Sequence, residues 1–322
     1  MTDLIRFVIH GFTLAFAWLL LSNLAATALV AFLASRLTKR AFAAAPNVWL
    51  ALRLAPAALS LAFVAFVFLP SYWQYEPREF VEGFDVSLSV LAAVAVAVLA
   101  AAGARGVSAW RSAQRRTDRW MRAGQPIALV NTSMPAFAID TNAPMMALVG
   151  VLRPRLMITR PVLETLTEEE LNAAVQHELG HWRAMDNLKR LAMRAAPDLL
   201  FGTGAARALE RRWVAASEQV ADRGAGSSEH VRCALASALV KVARITPPVT
   251  SISEPISALV DGGDITERVR RLLDDAPSGA ASRSMRWLPV AIPESPSSPA
   301  TRSPPASNWS WPIATARSRS HS

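Results

Sequence analysis

One cysteine, Cys233, stands in 322 residues. An intramolecular disulfide framework is therefore excluded, and the domain that holds Cys233 fits a reducing compartment. Tyrosine is almost as scarce, with Tyr72 and Tyr75 alone, and histidine stops at five: His10, His177, His181, His230 and His321. Charge is sparse at 18% of residues and leans basic, with 34 Lys and Arg against 25 Asp and Glu. A basic balance can serve nucleic acid, but no reader motif gathers these charges, so no direct nucleic-acid binding is expected. The length suits one soluble domain plus membrane segments.

The missing charge is missing in runs. Residues Phe7 to Ser35 carry no formal charge. That exceeds the roughly 20 residues needed to cross a bilayer and the about 7–15 of a signal-peptide core, so a retained span is expected. Leu54 to Tyr75 is a second uncharged run, closed by Tyr72, Trp73 and Tyr75 as an interfacial aromatic belt. Val86 to Ala104 is a third, rich in Ala and Val and less apolar, with a buried soluble helix as its alternative. Arg36, Lys39, Arg40 and Arg53 lie between the first two spans, and Arg105, Arg111, Arg115, Arg116, Arg119 and Arg122 follow the third. The loop between spans two and three is acidic instead, with Glu76, Glu79, Glu82 and Asp85 against Arg78. By the positive-inside rule the basic segments are cytoplasmic, and so is everything after the third span. The basic linker 105–125 would rest against anionic headgroups.

The densest chemistry lies between Val175 and Asp222. It opens with HELGH, His177 to His181, and closes with EQVAD, Glu218 to Asp222. Two histidines four residues apart on a helix share one face, so both imidazoles reach one metal. Glu178 flanks that metal without binding it, where a general base for the attacking water belongs. The helix has its own start signal: Thr167 and Glu170 form a capping box within an acidic first turn. Leu171, Val175, Leu179 and Trp182 recur as a buried stripe, while Ala173, Ala174 and Gly180 leave room for a second helix to approach. Catalytic zinc takes three protein ligands. His10 lies in an apolar run and His321 near the C-terminal end, so the third ligand is expected to be Glu218, in the helix-compatible segment Leu209–Arg223. Asp222, one turn further, would hydrogen-bond a ligand histidine; Asp186 and Asp222 are the reserve ligands.

Short β-compatible stretches precede this helix: Pro126–Val130, Pro135–Ile139, Ala147–Gly150 and Leu156–Thr159, separated by turns. They read as a small sheet packed over it. Leu188–Trp213, interrupted by Lys189, Arg190, Arg194, Arg207, Arg211 and Arg212 and broken at Pro197, is no clean span and reads as a membrane-surface or helical-hairpin element. Helices are expected at Cys233–Arg244 and Asp264–Asp275, the latter with Arg268, Arg270 and Arg271 on a solvated face. An oxyanion donor is left unassigned. Arg223 and His230 are the candidates, since Tyr72 and Tyr75 fall on the far side of the bilayer. From Ala276 the chain collapses into Ser, Pro, Ala and Arg, a low-complexity tail expected to be disordered.

The stretch VLRPRLMITRPVLETLTEEELNAAVQHELGHWRAMDN with the later EQVAD resembles membrane zinc metallopeptidases of the gluzincin type. The lead-in of Gly150, Arg153, Pro154 and Leu166, and the pattern ending at Asp186, resemble the beta-lactam sensor-transducer (antirepressor-regulating) peptidases most; HtpX-like and CAAX prenyl endopeptidases are wider kin. The resemblance implies a zincin-like α+β domain over about 126–275, behind a mainly α membrane region at 1–104, and an edge strand that grips an extended peptide. It implies Zn2+ held by His177, His181 and Glu218, Glu178 as base, and a protein substrate, either a transcriptional repressor in a signalling circuit or membrane proteins under quality control. A membrane scaffold with a degenerate site is the alternative from outside the enzymes, and the intact HELGH and EQVAD argue against it. Sensor-transducer peptidases add a fourth span and often an external ligand-binding domain after this point. Here Trp287–Ile292 is too short to span and no SxxK-type sensor motif is present. Sensing through such a domain is therefore not expected, and a truncated or altered reading frame after Ile292 stays open.

The loop charges generate a direct test. A reporter fused after Arg122 is expected to behave as cytoplasmic and one fused near Glu82 as external; the reverse pattern would put the HELGH domain outside.

Overall fold

A computed structural model of the protein describes residues 2–37, 45–77, 85–129, 132, 134–141, 143–246, 257–258 and 265–274. The tail 276–322 and most of the two loops whose charges set the orientation lie outside the described residues.

The chain is mostly helical. The uncharged runs form α1 (Thr2–Leu37), α2 (Pro46–Phe63) continued through a π-helical turn (Val64–Phe68) into α3 (Leu69–Tyr75), and α4 (Val86–Ala123). Three helical stretches, Leu4–Leu37, Pro46–Tyr75 and Val86–Ala123, are long and apolar enough to cross a membrane. At 1.5 Å per residue α4 runs about 57 Å, well beyond a hydrocarbon core of about 30 Å. The basic segment after residue 104 is thus a helical continuation of the third span up to Ala123. Arg105 does not face outward: it donates to the carbonyls of Arg194 (3.4 Å) and Ala196 (3.1 Å) and lies over the Phe201 ring.

The sheet follows directly, with β1 (Gly124–Ile127), β2 (Ala136–Ile139), β3 (Met146–Val149), β4 (Arg155–Thr159) and a two-residue β5 (Ser257–Ala258), in the order β1-β2-β4-β3-β5. The first strand starts two residues earlier than its apolar run indicates, because α4 ends at Ala123 and Gly124 pairs with Ile139. β2 and β4 are parallel (Ala136 opposite Leu156), the other pairs antiparallel. All four residues of β3 are buried because both sheet faces are covered. Met146, Leu148, Leu156 and Ile158 face one core with Val175 and Leu179 from the HELGH helix; Ala147, Val149 and Met157 face the end of α4 at Trp120 and Met121. β3 is paired with β5 at Ala147 and Leu148.

The remaining elements are α5 (Arg160–Thr165), α6 (Glu168–Arg183), α7 (Asp186–Ala195), α8 (Gly204–Ala225), α9 (Glu229–Ile245) and α10 (Ile265–Asp274). The mixed stretch 188–213 is therefore most of α7, a turn-rich connection and the start of α8. It is built into the membrane helices rather than lying on a surface. A second core joins Val30, Ala34 and Trp49 of α1 and α2 to Met193, Leu200, Leu209 and Trp213. Arg53, fully buried in α2, donates to Asp198 (2.9 Å), Glu210 (2.9 Å) and the Met193 carbonyl (3.1 Å). Asn23 of α1 donates to the Pro197 carbonyl (3.0 Å) and accepts from Leu199 N–H (3.1 Å). Polar groups at this depth are tolerated because each is spent on another buried polar group.

The capping box predicted for α6 is present, and it does more than cap. Thr167 N–H donates to Glu170 (2.8 Å), Glu170 N–H donates to Thr167 Oγ1 (3.3 Å), and Ser237 (2.6 Å) and Lys241 (2.8 Å) of α9 also donate to the Glu170 carboxylate. Burial alone would raise the Glu170 carboxyl, but these donors outweigh it and bring it from 4.5 down to about 2. A carboxylate lowered on folding stabilises above its unfolded value of 4.5, and that stabilisation is lost as pH falls towards 2. Lys241 is partly exposed, so with screening Lys241→Met should cost about 1–2 kcal/mol at neutral pH. The difference from wild type should shrink below pH 4.5 in urea melts; a cost independent of pH would contradict this origin.

Candidate metal centre

His177 and His181 sit one turn apart on α6, buried to 0% and 1% exposure. Their rings stand at 81° with the Nε2 atoms 3.2 Å apart. Glu218 comes from α8, which packs closely against α6 at a glycine. A Cβ on Gly180 would meet Ala221 Cα at 3.1 Å. That approach, expected from the small residues of the helix, puts Glu218 Oε2 3.5 Å from His177 Nε2 and Oε1 3.5 Å from His181 Nε2. The three side chains form a group that can hold a metal ion.

Two carboxylates stand behind the rings. His177 Nδ1 is 3.0 Å from Asp222 Oδ1, and His181 Nδ1 is 2.8 Å from Asp186 Oδ2, which also accepts from the Ser217 hydroxyl. Each Nδ1 is thus turned to an acid, and each Nε2 is turned inward. Asp186 reaches His181 because the chain reverses at the end of α6, where Met185 adopts a left-handed conformation at φ 54°. Asp222 lies beside His177, as expected from its place one turn beyond Glu218; Asp186, read from spacing only as a reserve ligand, lies beside His181.

One residue departs from its expected place. Arg268 of α10 is 3% exposed, not on a solvated face. It donates twice to Asp222 (2.7 and 3.1 Å), and its Nη1 lies 3.0 Å from Glu218 Oε2. Its neighbours Arg270 and Arg271 do lie outside, paired with Glu267. The signal was available: Arg268 falls on the same helical stripe as Ile265 and Leu272. Trp182 also departs, being 40% exposed rather than part of the buried stripe. His230 is on the surface beside Glu169 (3.1 Å), and the Tyr72 hydroxyl donates to the Phe7 carbonyl in the membrane helices, so neither is brought to the centre. His10 belongs to α1, and His321 lies outside the described residues.

Both oxygens of Glu178 are buried without a hydrogen-bond partner, and Glu218, also buried, is held in an ion pair by Arg268. Unpartnered buried acceptors are costly, and two imidazole nitrogens 3.2 Å apart are satisfied either by a hydrogen bond between them or by a shared cation. A tetrahedral zinc with bonds of about 2.0–2.1 Å sets neighbouring donors about 3.3 Å apart, close to the separations found here. The residues therefore fit zinc. Burial would lower the His181 pKa, but Asp186 and Glu218 reverse this and bring it from 6.5 up to about 10. A site that favours protons so strongly favours a divalent cation for the same electrostatic reason. Glu178 is moved the other way: burial pushes its carboxyl from 4.5 up to about 7, against the pull of the two histidines.

Arg268 and a metal ion both offset the Glu218 charge, so their effects should overlap. Arg268→Met leaves Asp222 and Glu218 without their guanidinium, a loss of about 3–5 kcal/mol for a buried pair. The fall in melting temperature should be larger after chelation than with zinc supplied. Equal falls would mean that the arginine and the ion do not share a role.

A comparison with curated proteins finds no match. Residues 122–253, which carry β1 to β4, HELGH and EQVAD, match the model of Peptidase family M48, and this part of the chain is similar to the metallopeptidases of that family.

Proposed function

We propose that the protein is an integral-membrane, zinc-dependent endopeptidase whose catalytic domain, about residues 126–275, faces the cytoplasm. The observation that carries the reading is the convergence of His177, His181 and Glu218 beside an unpartnered, buried Glu178, within a stretch similar to a peptidase family. Three helices apolar enough to cross a membrane support the membrane location; the basic flanks of those helices support the orientation.

His177, His181 and Glu218 would hold zinc. When bound, zinc acidifies a water and polarises the scissile carbonyl. Asp222 and Asp186 fix the tautomer and direction of the two imidazoles, and Arg268 holds Asp222 in place. Glu178 accepts the proton of the attacking water as its oxygen adds to the carbonyl carbon. It then delivers that proton to the amine as the C–N bond breaks. Burial, which raises this carboxyl, favours its taking up the proton. A cytoplasmic repressor is the substrate favoured by the likeness of Gly150, Arg153, Pro154 and Leu166 to the sensor-transducer peptidases.

Substitution separates base from ligand. Glu178→Gln should keep zinc and lower kcat/KM for peptide hydrolysis by about 10²–10⁴. Glu218→Gln should release zinc and lose activity with it, and His177→Ala or His181→Ala should do so more severely. Metal content at matched expression decides the matter: zinc lost from Glu178→Gln but retained in an active Glu218→Gln would reverse the assignments.

A further inference from the structure

His177 and His181 are each backed by an acid, but the two acids are held differently. Asp222 accepts twice from the buried guanidinium of Arg268 (2.7 and 3.1 Å). Among the described residues Asp186 is held instead by Ser217 and Lys189. Its Oδ2 faces His181 Nδ1 at 2.8 Å and also accepts from the Ser217 hydroxyl, while its Oδ1 lies 3.5 Å from the Lys189 ammonium. Lys189 is the looser of the two. That distance is too long for a hydrogen bond, its side chain is 22% exposed, and it also donates to Asn47 Oδ1 of α2 (3.4 Å). The close contact on Asp186 belongs to Ser217.

The direction of that contact is unusual for a helical hydroxyl. Serine and threonine within helices commonly bond back to the carbonyl four residues earlier, as Ser60 does to Pro56 and Thr117 to Ala113. A hydroxyl has one proton to give, and Ser217 of α8 gives it across to Asp186 at the start of α7. The next residue is Glu218. Successive side chains on a helix turn by about 100°, so one step separates the hydroxyl on Asp186 from the carboxylate that lies 3.5 Å from His181 Nε2. His181, Asp186, Ser217 and Glu218 thus close a loop of contacts from the outer nitrogen of one imidazole round to its inner nitrogen. All four are buried, and the loop draws on α6, α7 and α8.

We propose that Ser217 is a positioning residue of the metal centre. Anchored on the helix that carries Glu218, it holds the Asp186 carboxylate against His181 and so sets the angle between these two ligands before an ion arrives. The proposal rests on His177, His181 and Glu218 holding zinc, and it adds what keeps two of them in register. A neutral hydroxyl suits the task. It orients Asp186 while leaving the carboxylate its full charge toward the imidazole, and so keeps that nitrogen ligand basic.

The test uses the purified full chain in detergent micelles, with zinc as the probe and a chromogenic chelator as competitor. Ser217→Ala should weaken zinc binding about 10- to 100-fold. Ser217→Cys, close in size but a weak donor, should do the same. In an Asp186→Ala background the loss from Ser217→Ala should shrink to about two-fold or less, because the group through which Ser217 acts is gone. Ser237→Ala is the structural control. It removes a hydroxyl that donates to Glu170 (2.6 Å), and it should lower the melting temperature yet leave zinc affinity within about two-fold, as for an independent site. Cobalt in place of zinc reports ligand geometry: its visible absorption should shift in Ser217→Ala and not in Ser237→Ala. Unchanged zinc affinity in Ser217→Ala, an unshifted cobalt spectrum, or an equal loss in the Asp186→Ala background overturns the role of Ser217 and leaves the metal centre standing. A wild type that takes up no zinc overturns both. The expected losses of zinc in a protein that cleaves no peptide support the role and count against the peptidase reading alone.

Discussion

The structure depends on a balance of buried charge. Glu178, Asp186, Glu218 and Asp222 are all withdrawn from water within one small volume, and Arg268 is the cation buried among them. Carboxylates removed from solvent without partners cost several kcal/mol each. The two imidazoles can repay part of this by taking protons, as the raised His181 pKa shows. A divalent ion held by Glu218 and both Nε2 atoms would offset more. The surrounding helices are arranged to keep these groups in place despite the cost.

That arrangement reaches well outside the centre. Asp186 begins α7 and Glu218 lies within α8, so the connection between those helices sets how the two halves of the centre meet. The connection is secured at its middle by the membrane helices, through Arg53 on Asp198 and Asn23 on Pro197 and Leu199. On the other side, α6 is bolted to α9 by the Glu170 network and to the sheet by the core around Val175 and Leu179. Each element that supplies a side chain to the candidate metal centre is thus fixed by a separate set of buried contacts.

The same geometry joins the sheet to the candidate metal centre. The turn that swings Asp186 onto His181 is the turn that projects Met185 into solvent. The residue after Asp186, Asn187, ties that turn to the end of β3. One chain reversal therefore brings an acid to His181 and ties the start of α7 to the sheet.

Local pattern was enough for much of this. The capping box at Thr167 and Glu170, the shared face of His177 and His181, the small-residue side of α6 and the three apolar runs are all short-range properties of a helix, and they are written in spacings of three and four residues. The strands were legible for the same reason, with β1 displaced because helix α4 runs up to Gly124. What lay beyond the sequence was decided by contacts between distant elements. Arg268 reads as one of three exposed arginines until α10 docks and only its stripe is buried. Trp182 fits the apolar repeat of α6, yet among the described residues that side of the helix is only partly covered. Arg53 and Arg105 look like loop charges for a membrane surface, but the segment from Met193 to Glu210 folds back to meet them. Sequence determined which residues share a helix face; the packing of α8 and α10 onto α6 decided which acids and which arginine stand around the histidines, because a buried charge takes its partner from whatever element comes within about 3 Å.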